Sequence, residues 1–564
     1  MKRLIALALC LVSVLSLTAC GKKDGSGKAG EGEQITLTIG IPTQARVTEW
    51  DNNKLTLWLE EKTGYDLKFV HLSSTTSEAV TQLTTMISGG ERLPDLLLAF
   101  SPGGAVVQML ADGGYIRDLG AEFFDNEEVM KNYDYDEMIK KNLDPEVYQQ
   151  LVTFARDSKG RWLGFPYVTG GQNDRPKTMM YINRQWLENL GLEMPTTLDE
   201  LYDVCEAFKT QDPNGNGKPD EIPMLGGVNI GRGDIPAWII NHFIYVNDTY
   251  MYDIDDDGNV YLPYGMDEYR EGLKVANKFY KAGLLSPLTW TMKDRSEMTA
   301  MFTPADEVAK VGVVATHLLT NTTQDNAVLW EYAPLTPFEG AYAAHGPASL
   351  TYSNFITTDC EHPEAAFNLL CVLATPEGLR AQRYGEEGVD WQWVTDKYTG
   401  QQAIEQINPD AFSGQTDSTW GLNINCTYWS TTGDDGKDPA PSVIANTEGP
   451  EEEDNWTQRR TRMNRKHAAL YMARAAETDP KNLMFKVAYT DEEDEALGTM
   501  ETDILTYVTQ ARAKFTTGEW DVHSDAAWKS YCDTIEKMGA EKIIAINQAA
   551  WDRQQAQIAA LDLG

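Results

Sequence analysis

Between Asp212 and Glu221 the chain reads Asp212-Pro-Asn214-Gly-Asn216-Gly217-Lys218-Pro-Asp220-Glu221, with oxygen side chains at alternate positions and a glycine where a tight turn is needed. Oxygen donors spaced in this way can converge on one hard cation, and calcium is the ion they suit. Counted as an EF-hand loop, Asp212, Asn214 and Asn216 take the first, third and fifth positions, and Lys218 offers its backbone carbonyl at the seventh. Pro223 stands where that loop ends in glutamate, so Asp220 and Glu221 must close the shell from within. The expected role is structural, pinning a surface loop. The alternative is a hydrophilic turn of Asn-Gly and Pro-Asp pairs that holds nothing. A second tract, Asp253-Ile-Asp255-Asp256-Asp257-Gly258-Asn259, imitates the start of such a loop, but Tyr261 and Tyr264 occupy the later ligand positions. There a hairpin turning at Asp257-Gly258 is the preferred reading.

The other residues that could do chemistry are aromatic. Trp50, Tyr167, Trp290, Tyr352, Trp391 and Trp393 fall in segments read as loops or lobe crossings, where their faces could stack on pyranose rings. Asp390 adjoins two of them and could accept hydrogen bonds from sugar hydroxyls. Core packing is the competing role for each, because tryptophan is usually mostly buried. A glycosidase built on two carboxylates is a rival class. Against it, no Gly-x-Ser-x-Gly or His-Glu-x-x-His motif occurs and only 7 histidines are present, so binding without catalysis is expected. Capture of a peptide or another solute is the remaining alternative.

The elements that position these residues read as α/β. Strands at Ile35–Ile41, Asp66–Leu72 and Leu96–Phe100 alternate with helices at Asn53–Lys62 and Ser77–Ser88, the order of a parallel lobe. Ligands of open sheets lie beyond the carboxyl ends of the strands, which adds Phe100 and Ser101 to the candidates. Short strands at Leu163–Val168 and Thr178–Ile182 lead into a second lobe with helices at Arg184–Leu190 and Thr197–Thr210, the latter opened by a Thr197-x-x-Glu200 capping box. A further helix is expected at Asp267–Ala282, and the last 50 residues read helical with breaks at Gly518 and Gly539.

The amino terminus has a basic pair, Lys2 and Arg3, an apolar run from Leu4 to Leu17, and Leu17-Thr18-Ala19-Cys20, which resembles a bacterial lipobox. Residues 1–19 are therefore expected to be a signal peptide, and 20–34 a lipidated Cys20 with a flexible polar tether that anchors the body to the membrane. The divisions expected after it are a first lobe at 35–165 with later crossing segments at roughly 340–395, a second lobe with the metal loop at 166–339, and a helical carboxyl-terminal part at 396–564 completing both. The net charge of −37 argues against nucleic acid and favours an uncharged ligand. Cys205, Cys360, Cys371, Cys426 and Cys532 are widely and irregularly spaced, so buried thiols are expected rather than disulfides or zinc.

Several stretches carry a resemblance when taken in order. They are Trp58-Leu-Glu-Glu-Lys-Thr-Gly64, the Gly90–Asp95 stretch ending Leu-Pro-Asp, Trp186 through Glu200 to the Asp212 loop and Ile222-Pro223, Phe279 to Leu285, Tyr384-Gly-Glu-Glu-Gly388, Phe515 to Glu519, and Met538-Gly through Gln548 to Asp552-Arg553. In this order the chain resembles the large extracellular solute-binding lipoproteins of carbohydrate ABC importers, including LipO-like and alginate-oligosaccharide-binding proteins. The resemblance implies a two-lobed periplasmic-binding-protein fold of type II, closing by hinge motion on a sugar for a permease partner, with structural calcium in the acidic loop. It also implies a monomer on the extracellular face of the membrane. Asn183 departs from the pattern, standing where many members have arginine.

Overall fold

The computed structural model describes residues 34–560 except 134–155, 158, 170–174, 256, 319–325, 347–348, 399, 401, 409, 423–455, 480–486 and 488. Cys20, the expected signal peptide and most of the expected tether lie outside the described residues, as does Cys426. In chain order the strands are β1 (Thr36–Pro42), β2 (Asp66–Leu72), β3 (Leu96–Leu97), β4 (Phe165–Thr169), β5 (Met180–Asn183), β6 (Ile222–Leu225), β7 (Asp253–Ile254), β8 (Val260–Tyr261), β9 (Val311–Ala315), β10 (Tyr332–Leu335), β11 (Ser349–Ile356), β12 (Trp391–Thr395) and β13 (Gln402–Gln406).

The first sheet runs β2-β1-β3-β11-β4. β1 pairs in parallel with β2 and β3, as the alternation of strand and helix requires, but β11 and β4 join antiparallel, which the local pattern does not foretell. Alternate side chains face opposite sides. Leu37, Ile39, Ile41, Leu96 and Leu98 pack with Leu55 and Leu59 of helix Lys54–Thr63 and with Phe367 and Leu370 of helix Pro363–Ala374. Leu72, Leu97 and Phe100 pack with Ala79 and Leu83 of helix Thr76–Gly89. β4, expected partly in the second lobe, lies wholly in the first sheet because Ser349 to Asn354 of β11 pair with it from Thr169 to Phe165.

The second sheet runs β10-β5-β9-β6. All five residues of β9 are buried, the mark of a strand covered on both faces. Helix Leu198–Thr210 sets Leu201, Cys205 and Phe208 against this sheet. Thr197 caps that helix through Glu200 N, but the Glu200 carboxylate turns back to Thr196, so only half of the expected capping box forms. Asn183 is fully buried, caps helix Arg184–Leu190 through Trp186 N and donates to Glu331, so this position serves local folding.

A third cluster joins the β7–β8 hairpin and helix Asp267–Lys281 to helices Met500–Thr517, Asp525–Lys537 and Ala540–Ala560. Gly272 permits close approach here, since a Cβ at that position would lie 2.8 Å from Ile240 Cα. Later chain also returns to the first lobe, where fully buried Trp420 donates to Thr56 Oγ1 at 2.9 Å. Cys205, Cys360 and Cys371 are buried free thiols and Cys532 a half-buried one. Among the described residues no helix is long and apolar enough to cross a membrane.

Candidate functional site

Two chain segments run between the sheets as a ribbon. β4 pairs with β11 in the first sheet and β5 with β10 in the second. Between them Pro176 bridges His345 antiparallel, Lys177 N donates to Ala344 O at 3.0 Å, and Gly346 N donates to Arg175 O at 2.8 Å. A ribbon crossing between two α/β sheets is where hinge closure of a two-lobed binder is built.

The sequence-derived aromatic candidates do not form one cluster. Trp50 is half-buried beside Phe69 at 5.4 Å, His71 at 5.0 Å and Trp420 at 6.5 Å between ring centroids. Trp391 is buried with its Nε1 donating to Gly385 O, and half-buried Trp393 stands edge-on to it at 5.3 Å. The Arg380 guanidinium lies 5.1 Å from the Trp393 ring and 5.9 Å from that of Trp391. Lys54, at the start of helix Lys54–Thr63, lies 3.6 Å from Asp390 and so ties the hairpin β12–β13 to the neighbourhood of Trp50. Trp290 is elsewhere, half-buried against Tyr280 in the second lobe. Half-buried Tyr352 pairs across from Pro166, and burial holds its hydroxyl far above the usual range. Tyr167 pairs with Thr351, its side chain outside what is described.

Two candidates are engaged in packing or turn geometry. Phe100, three residues past β3, is 2% exposed and meets Phe355 edge-on inside the core. Asp390 is 1% exposed and its carboxylate accepts from Glu386 N and Asn408 Nδ2, both at 2.9 Å, leaving little lone-pair capacity for a ligand. Gly385 is required there, since at φ 83° a Cβ would stand 2.5 Å from Asp390 Oδ2. Ser101, in contrast, is exposed in the loop before helix Gly104–Asp112.

On the ribbon and in the Gly227–Gly233 loop against it stand residues that sequence reading missed. Arg175, Lys177 and Arg232 are half-buried together: Arg175 Nε donates to Gly346 O at 3.0 Å, Arg232 Nη1 to Pro176 O, and Lys177 Nζ to Thr249 Oγ1 at 2.8 Å. Burial, reinforced by Arg232, lowers the Lys177 ammonium to about 8. An Arg-Pro-Lys run just before a crossing strand in so acidic a chain was the available signal.

The acidic loop folds on itself. Asp212 accepts from Asn216 N and Gly217 N, Asn216 donates to Asp220, and Lys218 N donates to Asn216 Oδ1. Among the described residues no three His, Cys, Asp or Glu side chains form a group able to hold a metal. The donor set nonetheless fits a hard cation. Glu221 Oε1 is buried without a hydrogen-bond partner, and burial first, then the charges of Asp212 and Asp220, push its carboxyl above 4.5. A carboxylate with one unpartnered oxygen beside two others is a site that an ion would relieve. The second tract is the β7–β8 hairpin, with Asp255 accepting from Asp257 N and Asn259 N as an ordinary turn.

Comparisons with known proteins meet this geometry. Over 576 aligned residues the chain is 26% identical to the fructooligosaccharide ABC transporter substrate-binding protein FusA of Streptococcus pneumoniae serotype 4, covering 97% of each. It is 26% identical over 292 residues to lipoprotein LipO of Bacillus subtilis, about half of each chain. Solved structures of pneumococcal FusA, one in complex with kestose and one an EF-hand mutant with fructo-nystose, share the fold at TM-score 0.67, at 22% and 21% identity, and cover 93% of this chain and 100% of their own. The sequence profile of one family matches residues 42–379, more than half of the chain: the protein belongs to the bacterial extracellular solute-binding proteins.

Proposed function

We propose that this protein captures an oligosaccharide outside the cell and delivers it to the permease of an ATP-driven importer, held at the membrane by a lipidated Cys20. The observation that carries the reading is end-to-end similarity to a fructooligosaccharide ABC transporter substrate-binding protein, 97% of each chain, on a frame of two sheets joined by a crossing ribbon. Capture needs no bond breaking. A ligand that bridges both lobes stabilises the closed form by its differential affinity, and the closed form is what a permease can distinguish. Aromatic faces for stacking are available at Trp50 and Trp393, both half-buried, and the exposed Ser101 hydroxyl offers a hydrogen bond.

Calcium belongs to the same reading. The loop residues Asp212, Asn214, Asn216, Lys218, Asp220 and Glu221 would hold it, supplying carboxylate, amide and backbone oxygens, and the ion would give the unpartnered Glu221 Oε1 a partner. Its part is to fix the loop.

The test is isothermal calorimetry of residues 35–564 against neutral and acidic oligosaccharides of increasing length, with products followed by chromatography. Binding with no product formed supports the reading; affinity confined to peptides or other solutes overturns the substrate class.

A further inference from the structure

We propose that the crossing ribbon holds a recognition site for an anionic group on the ligand, a carboxylate or a sulfate, gripped by Lys177 with Arg175 alongside. This rests on the oligosaccharide reading and names the class: an acidic oligosaccharide.

The argument starts from a cation without a counter-ion. Lys177 is half-buried, yet among the described residues no carboxylate lies within 4.0 Å of its Nζ; its contacts are the Thr249 hydroxyl and, at 5.1 Å, the ring of Tyr250. The acid that acts on it from a distance, Asp248, is engaged by Arg512 through both oxygens and by the Tyr264 hydroxyl. Arg232 adds charge of the same sign. Withdrawing an ammonium from water without an anion is costly, and the chain has 85 acidic residues against 48 basic ones from which to have drawn a partner. A ligand anion removes that cost, which a neutral hydroxyl does not.

Direction and location support it. Side chains alternate along the ribbon, so Arg175 and Lys177 share one face while Pro176 and His345 share the other, where His345 meets Asp479. Gly346 stands across from Arg175 on this same face, and a Cβ there would lie 3.5 Å from Lys177 Nζ, so no side chain from that position screens the charge. An anion seated here touches the segment connecting the two sheets, which couples its binding to closure. The overall charge of −37, which pointed to an uncharged ligand, is an average that this ribbon locally reverses.

The test is calorimetry on the full mature protein with calcium present. The probes are matched oligosaccharides in neutral, uronate and sulfated forms, and the proteins are the wild type, Lys177→Met and Lys177→Arg, each checked by thermal unfolding. The expected result is an acidic form bound about tenfold more tightly than its neutral counterpart, the scale of one charge-assisted bond. That preference is lost in Lys177→Met, kept in Lys177→Arg, and weakened in the wild type alone as pH rises through about 8. Whichever of uronate and sulfate binds identifies the anion. Equal affinity for neutral and acidic forms, or a preference that survives Lys177→Met with no dependence on pH near 8, overturns the anion site and leaves the oligosaccharide reading standing. Failure of every carbohydrate to bind overturns both. If Lys177→Met does not fold, Lys177→Arg and the wild-type pH profile decide.

Discussion

Asp479 Oδ2 lies 2.9 Å from Nδ1 of His345, and its Oδ1 accepts from Ala343 N at 2.7 Å. The carboxylate is 3% exposed, and it stands just past helix Trp456–Thr478, whose Thr478 and Tyr471 hydroxyls donate to Ala341 O and Ala344 O. One helix end thus ties the ribbon strand 341–345 to the second lobe. Asp479→Ala removes the acceptor of the buried Ala343 amide and the partner of His345 Nδ1. The expected loss is on the order of 3 kcal/mol in chemical denaturation. A change under 1 kcal/mol would mean that Thr478 and Tyr471 suffice.

Asp253 gives the fold a dependence on pH. It is 1% exposed, accepts from Ile254 N and the Tyr261 hydroxyl, and is pushed up to about 6, by burial first and also by Asp479. A carboxyl raised above its unfolded value contributes stability that is fully present below about 3.8 and is lost as pH rises through about 6. The difference across that window is on the order of 3 kcal/mol. Asp253→Asn keeps an oxygen for Tyr261 and is expected to flatten this part of the stability profile and to stabilise the protein at pH 8. Unfolding midpoints at pH 4 to 8 check it.

Trp420 tests whether late chain belongs to the first lobe. It is fully buried, edge-on to Phe69 at 5.3 Å, and donates to Thr56. Trp420→Ala should cost about 3–5 kcal/mol, the scale of a large buried truncation. Trp420→Phe retains most of the packing, loses the hydrogen bond, and should cost about 1–2 kcal/mol. Hydrogen exchange in β1 and β2 should rise in step; protection that is unchanged there would separate Trp420 from the first-lobe core.

These residues mark where the sequence was legible. Helix Lys54–Thr63 has Asn53 as N-cap and Gly64 as C-cap, and the β7–β8 hairpin follows its Asp-Gly turn, because caps and turns are settled within a few residues. The antiparallel entry of β11 into the first sheet, the Pro176–His345 bridge and the seat of Trp420 on Thr56 join residues 169 to 364 positions apart, and no local spacing encodes such pairs. The partners of Asp390 were illegible for the same reason: Asn408 and Lys54 arrive from other elements.

The last prediction concerns Glu221, whose response to pH should change sign with calcium. Without the ion, its raised carboxyl contributes stability that is fully present below 4.5 and lost as pH rises through the folded value, so ionising it weakens the fold. Calcium requires the ionised form, so the stabilisation that the metal confers should grow over that same rise in pH. Thermal unfolding with calcium and with chelator should therefore coincide near pH 4 and separate toward pH 7, by an amount that increases with free calcium. Glu221→Gln should abolish most of the separation while making the chelated protein more stable at pH 7, because a neutral amide relieves the crowding with Asp212 and Asp220. Curves that coincide at every pH would remove calcium from the loop and leave Glu221 Oε1 without a partner.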